Sequence, residues 1–182
     1  MDREKESLEY CIFNRRSVRA FTQEAVDRDV VKALIERAAM APSCSNAQPW
    51  VFIAVDDAEK LEKIKMFSPG INGDPPVLIV ICMDMRFVHS RDELRENELC
   101  ANSDIAMAAQ NFMLAATAKG LGTCAIKSFR AVLVKKILDL PDNFIPELII
   151  TLGYPGKVPA MPKRKELSSI IGWNGWKERV DD

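Results

Sequence analysis

The sequence predicts an α+β chain in which helices outnumber strands. Three observations carry this. Apolar residues recur at helical spacing in several stretches, whereas only four short segments read as strands. One of these, Val77–Met83, is apolar at every position, as in a strand covered on both faces. The elements follow one another as α, α, β, α, β, α, α, β, α, β, an order suited to an α+β chain.

Each element has its own signal. Glu4–Asn14 carries Leu8, Cys11 and Ile12 at helical spacing. Asp27 is placed to cap a second helix with the stripe Val30, Val31, Leu34, Ile35, Ala38 and Ala39, and Pro42 lies beyond its end. Ser43–Pro49 is a polar loop and Val51–Val55 a strand. Ala58–Phe67 is a short charged helix, and Ser68–Pro76, with two glycines and three prolines, is a loop. After the buried strand, Arg91–Cys100 reads as an exposed helix and Asp104–Lys119 as a separate, alanine-rich one stopped by Gly120. Its alanines imply a close neighbour. Thr123–Lys127 is a strand, Val132–Leu138 a helix ended by Pro141, and Leu148–Gly153 the last strand. From Tyr154 onward an extended tail is expected.

The 182 residues suit a single domain, 1–182. Lysine and arginine number 25 and the acids 26, for a formal charge of −1, which argues against a nucleic-acid binder. The longest apolar run is too short to span a bilayer. Met1 to Glu9 is charged throughout, unlike a secretory signal. Five cysteines without a C-x-x-C pair read as reduced thiols, so the expectation is a cytoplasmic protein without a zinc site.

Two basic clusters stand out: Arg15-Arg16-Ser17-Val18-Arg19 and Lys163-Arg164-Lys165. Guanidinium forks match phosphate oxygens, so the clusters either share an anion or are two solvated turns that never meet. The loop Pro42-Ser43-Cys44-Ser45-Asn46-Ala47-Gln48-Pro49-Trp50 offers neutral hydrogen-bonding groups suited to a polar heterocycle, or is a turn-rich connection. Cys44 reads as a bystander rather than a catalytic thiol. Gly120-Leu121-Gly122-Thr123-Cys124-Ala125 fits a relaxed dinucleotide pattern in the wrong context, because the helix precedes the glycines and the strand follows. His89 is the only histidine and sits in a charged stretch, so it reads as a surface residue. With no nucleophile, metal set or acid–base pair, catalysis would fall to a cofactor, and no catalytic side chain is assigned.

Four motifs then resemble the nitroreductase family. They are Arg15-Arg16-Ser17-x-Arg19-x-Phe21; Pro42-Ser43-Cys44-x-Asn46-x-Gln48-Pro49-Trp50; Asn111-x-x-Leu114-Ala115-Ala116 leading to Gly120-Leu121-Gly122-Thr123; and Leu152-Gly153-Tyr154-Pro155 followed by Lys163-Arg164-Lys165. They occur in order over residues 12 to 170. The resemblance implies a nitroreductase-like fold, with a central antiparallel sheet of about four strands flanked by helices. It also implies an intertwined homodimer with two FMN groups at its interface. Arg15 and Ser17 would hold the FMN phosphate, with Lys163 and Lys165. Arg19 would sit near N1 and O2 of the flavin, and Arg16 would contribute through its backbone. Pro42, Ser43, Cys44 and Asn46 would reach the flavin bound chiefly by the other subunit. Ala125, Ile126, Lys127 and Ser128 would lie along the isoalloxazine, with a backbone N–H aimed at N5.

The implied activity is ping-pong transfer of reducing equivalents from NADH or NADPH through FMN to a small electron-poor acceptor, a nitroaromatic or quinone. An FMN-binding protein without such turnover is the alternative. The chain departs from the family pattern at Cys44, usually serine, and at Lys127-Ser128, where Glu-Gly is common. It is also short, and the charged segment 84–102 implies an open acceptor side. The tail 172–182, with Trp173 and Trp176, is expected to dock on the partner subunit.

Overall fold

The computed structural model describes residues 7–88 and 94–176. Expectations for His89, for the ends of the chain and for residues 91–93 lie outside them.

Side-chain caps start the first helices. Ser7 Oγ accepts the Tyr10 N–H at the start of α1 (Leu8–Asn14). Asp27 accepts the Asp29 N–H at 2.7 Å ahead of α2 (Arg28–Ala38), as the sequence predicts. Asp57 accepts the Lys60 N–H ahead of α3 (Ala58–Met66). A two-residue β1 (Ala20–Phe21) lies between α1 and α2.

The sheet strands are β2 (Trp50–Val55), β3 (Val77–Asp84), β4 (Gly122–Ile126) and β5 (Phe144–Gly153). They run in the order β2-β3-β5-β4, every pair antiparallel. The odd residues of β3, Val77 to Met83, face one core, shared with Leu34 of α2 and with Ile105, Phe112 and Ala116 of α5 (Leu94–Ala118). The even residues, Leu78, Val80 and Cys82, face a second core, shared with Ile64 of α3 and Val134 of α6 (Ala131–Ile137). Helices on both faces are why β3 reads as one apolar run. A short α4 (Met85–Val88) follows β3.

The short β1 and α4 carry no sequence expectation, and three further elements differ from theirs. The two helices expected between residues 91 and 119 form one helix from Leu94 to Ala118. Asn102 and Ser103 suggest a break because their side chains compete for backbone hydrogen bonds. Both are exposed, while Ala101, Asp104 and Ile105 around them are buried, so packing carries the helix through. Strand β5 starts at Phe144, four residues early, despite Pro146. Ile81 pairs with Leu148 and Cys82 with Pro146, leaving Glu147 as a bulge, and β4 reaches only to Ile149, so the proline interrupts no pairing with β4. The tail begins with a strand, β6 (Pro155–Lys157), which pairs antiparallel with β1. From Val158 to Trp176 every residue is exposed.

Helix α5 ends as expected: Gly120 takes φ +72° and the Leu121 N–H reaches back to the Ala116 carbonyl at 2.9 Å.

Candidate functional site

The cationic segment is stitched to the sheet by its backbone. Ser17 bridges Thr123 of β4 in parallel, and the Val18 N–H donates to the Thr123 carbonyl at 2.9 Å. Val18 is buried, which leaves the arginines on either side of it to face outward. The C-terminal basic segment returns to the same place. Arg15, Arg16, Ser17 and Arg19 line one cavity of about 300 Å³ with Pro159, Ala160, Pro162 and Arg164. The two basic clusters therefore meet. Four guanidiniums and a hydroxyl converge, and no carboxylate lines the cavity. Among the described residues, no salt bridge neutralises these arginines. Such a cluster is held against self-repulsion more easily with an anion in its midst.

The arginines are not equivalent. Arg16 Nη1 donates to the carbonyls of Phe13, at 2.6 Å, and Arg15, at 2.9 Å, so its guanidinium is largely spent on the end of α1. Arg19 makes one long bond, 3.4 Å, to the Ser17 carbonyl. Of the C-terminal triplet, Arg164 lines the cavity, and Lys163 and Lys165 stand exposed on either side of it. Sequence reasoning missed Arg164, although it sits centrally in the cluster.

The end of β4 lies beside this cavity through the loop 68–76. The Gly70 N–H donates to the Ser128 carbonyl at 3.3 Å, and Gly73 packs against the Arg19 carbonyl. One loop thus touches both the cationic segment and the segment 125–128. Sequence reasoning missed this loop, whose signal was its glycines. Ala125, Lys127 and Ser128 are exposed, whereas the Ile126 side chain is buried in the core, so only its backbone faces outward. Lys127 pairs with the carboxylate of the bulged Glu147 and donates to its carbonyl at 2.8 Å.

The loop 42–49 lies elsewhere. A 3-10 turn, Cys44–Asn46, packs on α5, where the Cys44 N–H sits 3.2 Å from both Asp104 carboxylate oxygens. Ser43 Oγ accepts the Gln48 N–H at 3.0 Å. Pro49 accepts the Asp84 N–H at 2.8 Å, closing the loop onto the end of β3. Pro42, Cys44 and Asn46 are exposed and Ser43 is half-buried. Cys44 is held through its backbone, so a thiol in place of a hydroxyl is no loss to this contact.

Within one chain, the loop meets α5 near its middle and the cationic segment meets it at its C-terminal end. The loop meets the helix at Asp104, and the cationic segment meets it at Thr117, which lines a second cavity with Arg16 and Val18. At 1.5 Å per residue these points are roughly 20 Å apart along the helix axis. Among the described residues, no group of His, Cys, Asp and Glu side chains is arranged to hold a metal ion, and no helix is long and apolar enough to cross a membrane.

Comparison with known proteins gives the chain's relatives. The model of the nitroreductase family matches residues 12–68 and 65–154. The chain is 30% identical to a putative NADH dehydrogenase/NAD(P)H nitroreductase of Methanothermobacter thermautotrophicus, over 81% of this chain and 77% of that one. It is 31% identical to an FMN reductase (NADPH) of Bacillus subtilis, over 94% of this chain and 75% of the other. The crystal structure of a putative NADH dehydrogenase/NAD(P)H nitroreductase from Parabacteroides distasonis superposes with a TM-score of 0.81 at 30% identity, covering 93% of this chain and 98% of that one. With the family model matching most of the chain and a 30%-identical relative covered over three quarters of its length, the chain belongs to the nitroreductase family.

Proposed function

We propose that the protein is an FMN-dependent oxidoreductase that takes reducing equivalents from NADH or NADPH and delivers them to a small electron-poor acceptor such as a nitroaromatic or quinone. The observation that carries this reading is the convergence of Arg15, Arg16, Ser17, Arg19 and Arg164 on one cavity beside β4. That donor set fits a phosphate dianion, and each charge-assisted bond contributes about 1.5–3 kcal/mol. Gly120 follows α5 and Gly122 opens β4, with the helix first, so the glycines give no support to a dinucleotide such as FAD.

When bound, FMN would supply the hydride chemistry. The chain's residues bind and orient. Arg15, Ser17 and Arg164 hold the phosphate, with Lys163 and Lys165 adding positive charge at the rim. Arg16, tied to α1, acts through its backbone. Arg19 lies toward the ring, where its charge favours the reduced, more anionic flavin. The backbone of Ala125, Ile126, Lys127 and Ser128 runs along the isoalloxazine.

Pro42, Ser43, Cys44 and Asn46 complete the site from a second copy of the chain. The span of α5 supports this, because one chain holds its loop and its arginines roughly 20 Å apart. A two-fold dimer pairing α5 with its copy in antiparallel orientation brings the loop of each chain to the arginines of the other. Exposed apolar groups offer surface for it: Leu8, Ile12 and Phe13 on α1, Met107 on α5, and Trp173 and Trp176, which are 87% and 62% exposed in the isolated chain. Docking of residues 172–182 on the partner would cover the tryptophans. Thiols at all five cysteines support a cytoplasmic setting.

The test is the purified protein's absorption spectrum before and after anaerobic addition of NADH or NADPH, with the cofactor released by heat and identified by mass. The reading expects FMN, bleached at a useful rate by at least one nucleotide. FMN that stays oxidised with both would favour a flavin-binding role without turnover. FAD, or no flavin uptake from excess FMN, would overturn the proposal.

A further inference from the structure

Asp104 is 3% exposed and lies on α5, beneath the loop that the proposed function assigns to the flavin of the partner subunit. Its carboxylate holds the Cys44 N–H at 3.2 Å from each oxygen, and no salt bridge with a cation is present among the described residues. A buried carboxylate without a cation is an expensive way to fill space, and a neutral side chain would serve packing better. The loop it grips is strained. Ser45, Asn46 and Gln48 all take left-handed conformations, with φ of 51°, 56° and 48°. Each costs of order 1 kcal/mol for a residue with a side chain, so the conformation persists only where its surroundings impose it. Side chains anchor the loop at Ser43 Oγ, which accepts the Gln48 N–H, at the Asp104 carboxylate, and through Gln48 Nε2, which donates to the Asn46 carbonyl.

We propose that Asp104 is a positioning residue of the flavin site, whose charged carboxylate fixes the loop 43–48 in the conformation that meets FMN. This rests on the function proposed above. Burial raises the Asp104 carboxyl above its ordinary value, with the hydrogen bond from the Cys44 N–H opposing. Among the described residues, the titratable side chains placed next to Asp104 by position are Cys44 on the loop and Cys100 one turn earlier on α5. As pH falls from neutral, Asp104 takes up a proton, its grip on the N–H weakens, and the loop loosens. For global stability the sign is opposite. A raised carboxyl pKa favours the fold below the unfolded-state pKa, and this advantage is lost as pH rises through the folded-state value.

Asp104→Asn separates these effects. FMN affinity is measured by quenching of flavin fluorescence between about pH 8 and pH 5, and thermal unfolding of the apoprotein in parallel. At neutral pH the variant should bind FMN about five- to tenfold more weakly, the difference between a charged and a neutral acceptor. Its affinity should also vary less with pH than the wild type's, since the carboxyl at position 104 no longer titrates. The apoprotein should melt no lower than wild type, because a neutral amide is easier to bury. Alkylation of the exposed Cys44 reads the loop without flavin and should be faster in the variant. Unchanged FMN affinity and pH profile would overturn the inference, as would weaker binding that merely tracks a lower melting temperature. If wild type binds no FMN, the functional reading fails, and equal Cys44 alkylation rates would then show that Asp104 does not hold the loop.

Discussion

Gly73 leaves no room for a side chain beneath Arg19. A Cβ on Gly73 would lie 2.3 Å from the Arg19 carbonyl oxygen, and the residue sits at φ +75°. Close approach here presses the loop 68–76 onto the cationic segment, so the loop helps set where Arg19 points. Gly120 is the natural control. It has nearly the same φ, +72°, but nothing within 4 Å of an added Cβ. Gly120→Ala should destabilise the fold by about 1 kcal/mol, the backbone term alone. Gly73→Ala should destabilise by about 2–3 kcal/mol and also weaken FMN binding. Chemical denaturation and FMN titration of both variants check this; equal behaviour would mean that the contact with Arg19 is dispensable.

The arginines should divide their labour. Arg15→Ala and Arg164→Ala should each weaken FMN binding about ten- to a hundredfold, as loss of a charge-assisted phosphate bond. Lys163→Ala and Lys165→Ala, at exposed positions beside the cavity, should have smaller effects, about threefold, in the range of exposed charge pairs. Arg19→Ala should lower the reduction potential of bound flavin and slow its reduction by NAD(P)H beyond any loss of affinity. Side-by-side titrations of affinity and potential decide the matter. A shifted potential in Arg15→Ala with none in Arg19→Ala would reverse the two roles.

The sequence made some of this legible and hid the rest for physical reasons. Val77–Met83 announced a strand because both of its faces are covered, and Asp27 announced a helix start because its carboxylate has a local N–H to accept. The cationic motif and the Pro42–Trp50 loop could be picked out because their residue types are unusual together. Local signals were silent on long-range contacts. Nothing in Ser68–Pro76 says that its glycines touch Arg19 and Ser128, and nothing in Pro155–Lys157 says that it pairs with Ala20–Phe21. At Asn102-Ser103 local propensity pointed to a break that burial of the neighbouring residues overrode. Pro146 masked the start of β5 because the bulge that accommodates it depends on register with Ile81 and Cys82.

Acid should reveal Asp84. This carboxylate, buried at the end of β3, is held down to about 2, first by hydrogen bonds from Arg86, against the opposing effect of burial, and then by Asn143. A depressed carboxyl pKa stabilises the fold above the unfolded value of about 3.9, and the contribution is lost as pH falls toward the folded value. It is worth about 2 kcal/mol at neutral pH. Asp84→Asn should therefore lower stability by about that amount at pH 7 and by much less near pH 2. Urea denaturation at several pH values checks this, and a constant deficit across the range would contradict it.

The central claim is that each flavin site is shared, with arginines from one chain and the loop from the other. Mixed dimers test it most directly. Chains carrying Arg15→Ala are combined with chains carrying Asn46→Gly, a change that removes the loop side chain where φ is already +56°. The heterodimer is isolated with two different affinity tags. In a shared site, one of its two sites has both defects and the other has none. FMN titration should then show one site per heterodimer with wild-type affinity, although both parent homodimers bind weakly. Two equally weakened sites, or a flavin-loaded monomer, would place the whole site within one chain and contradict the account.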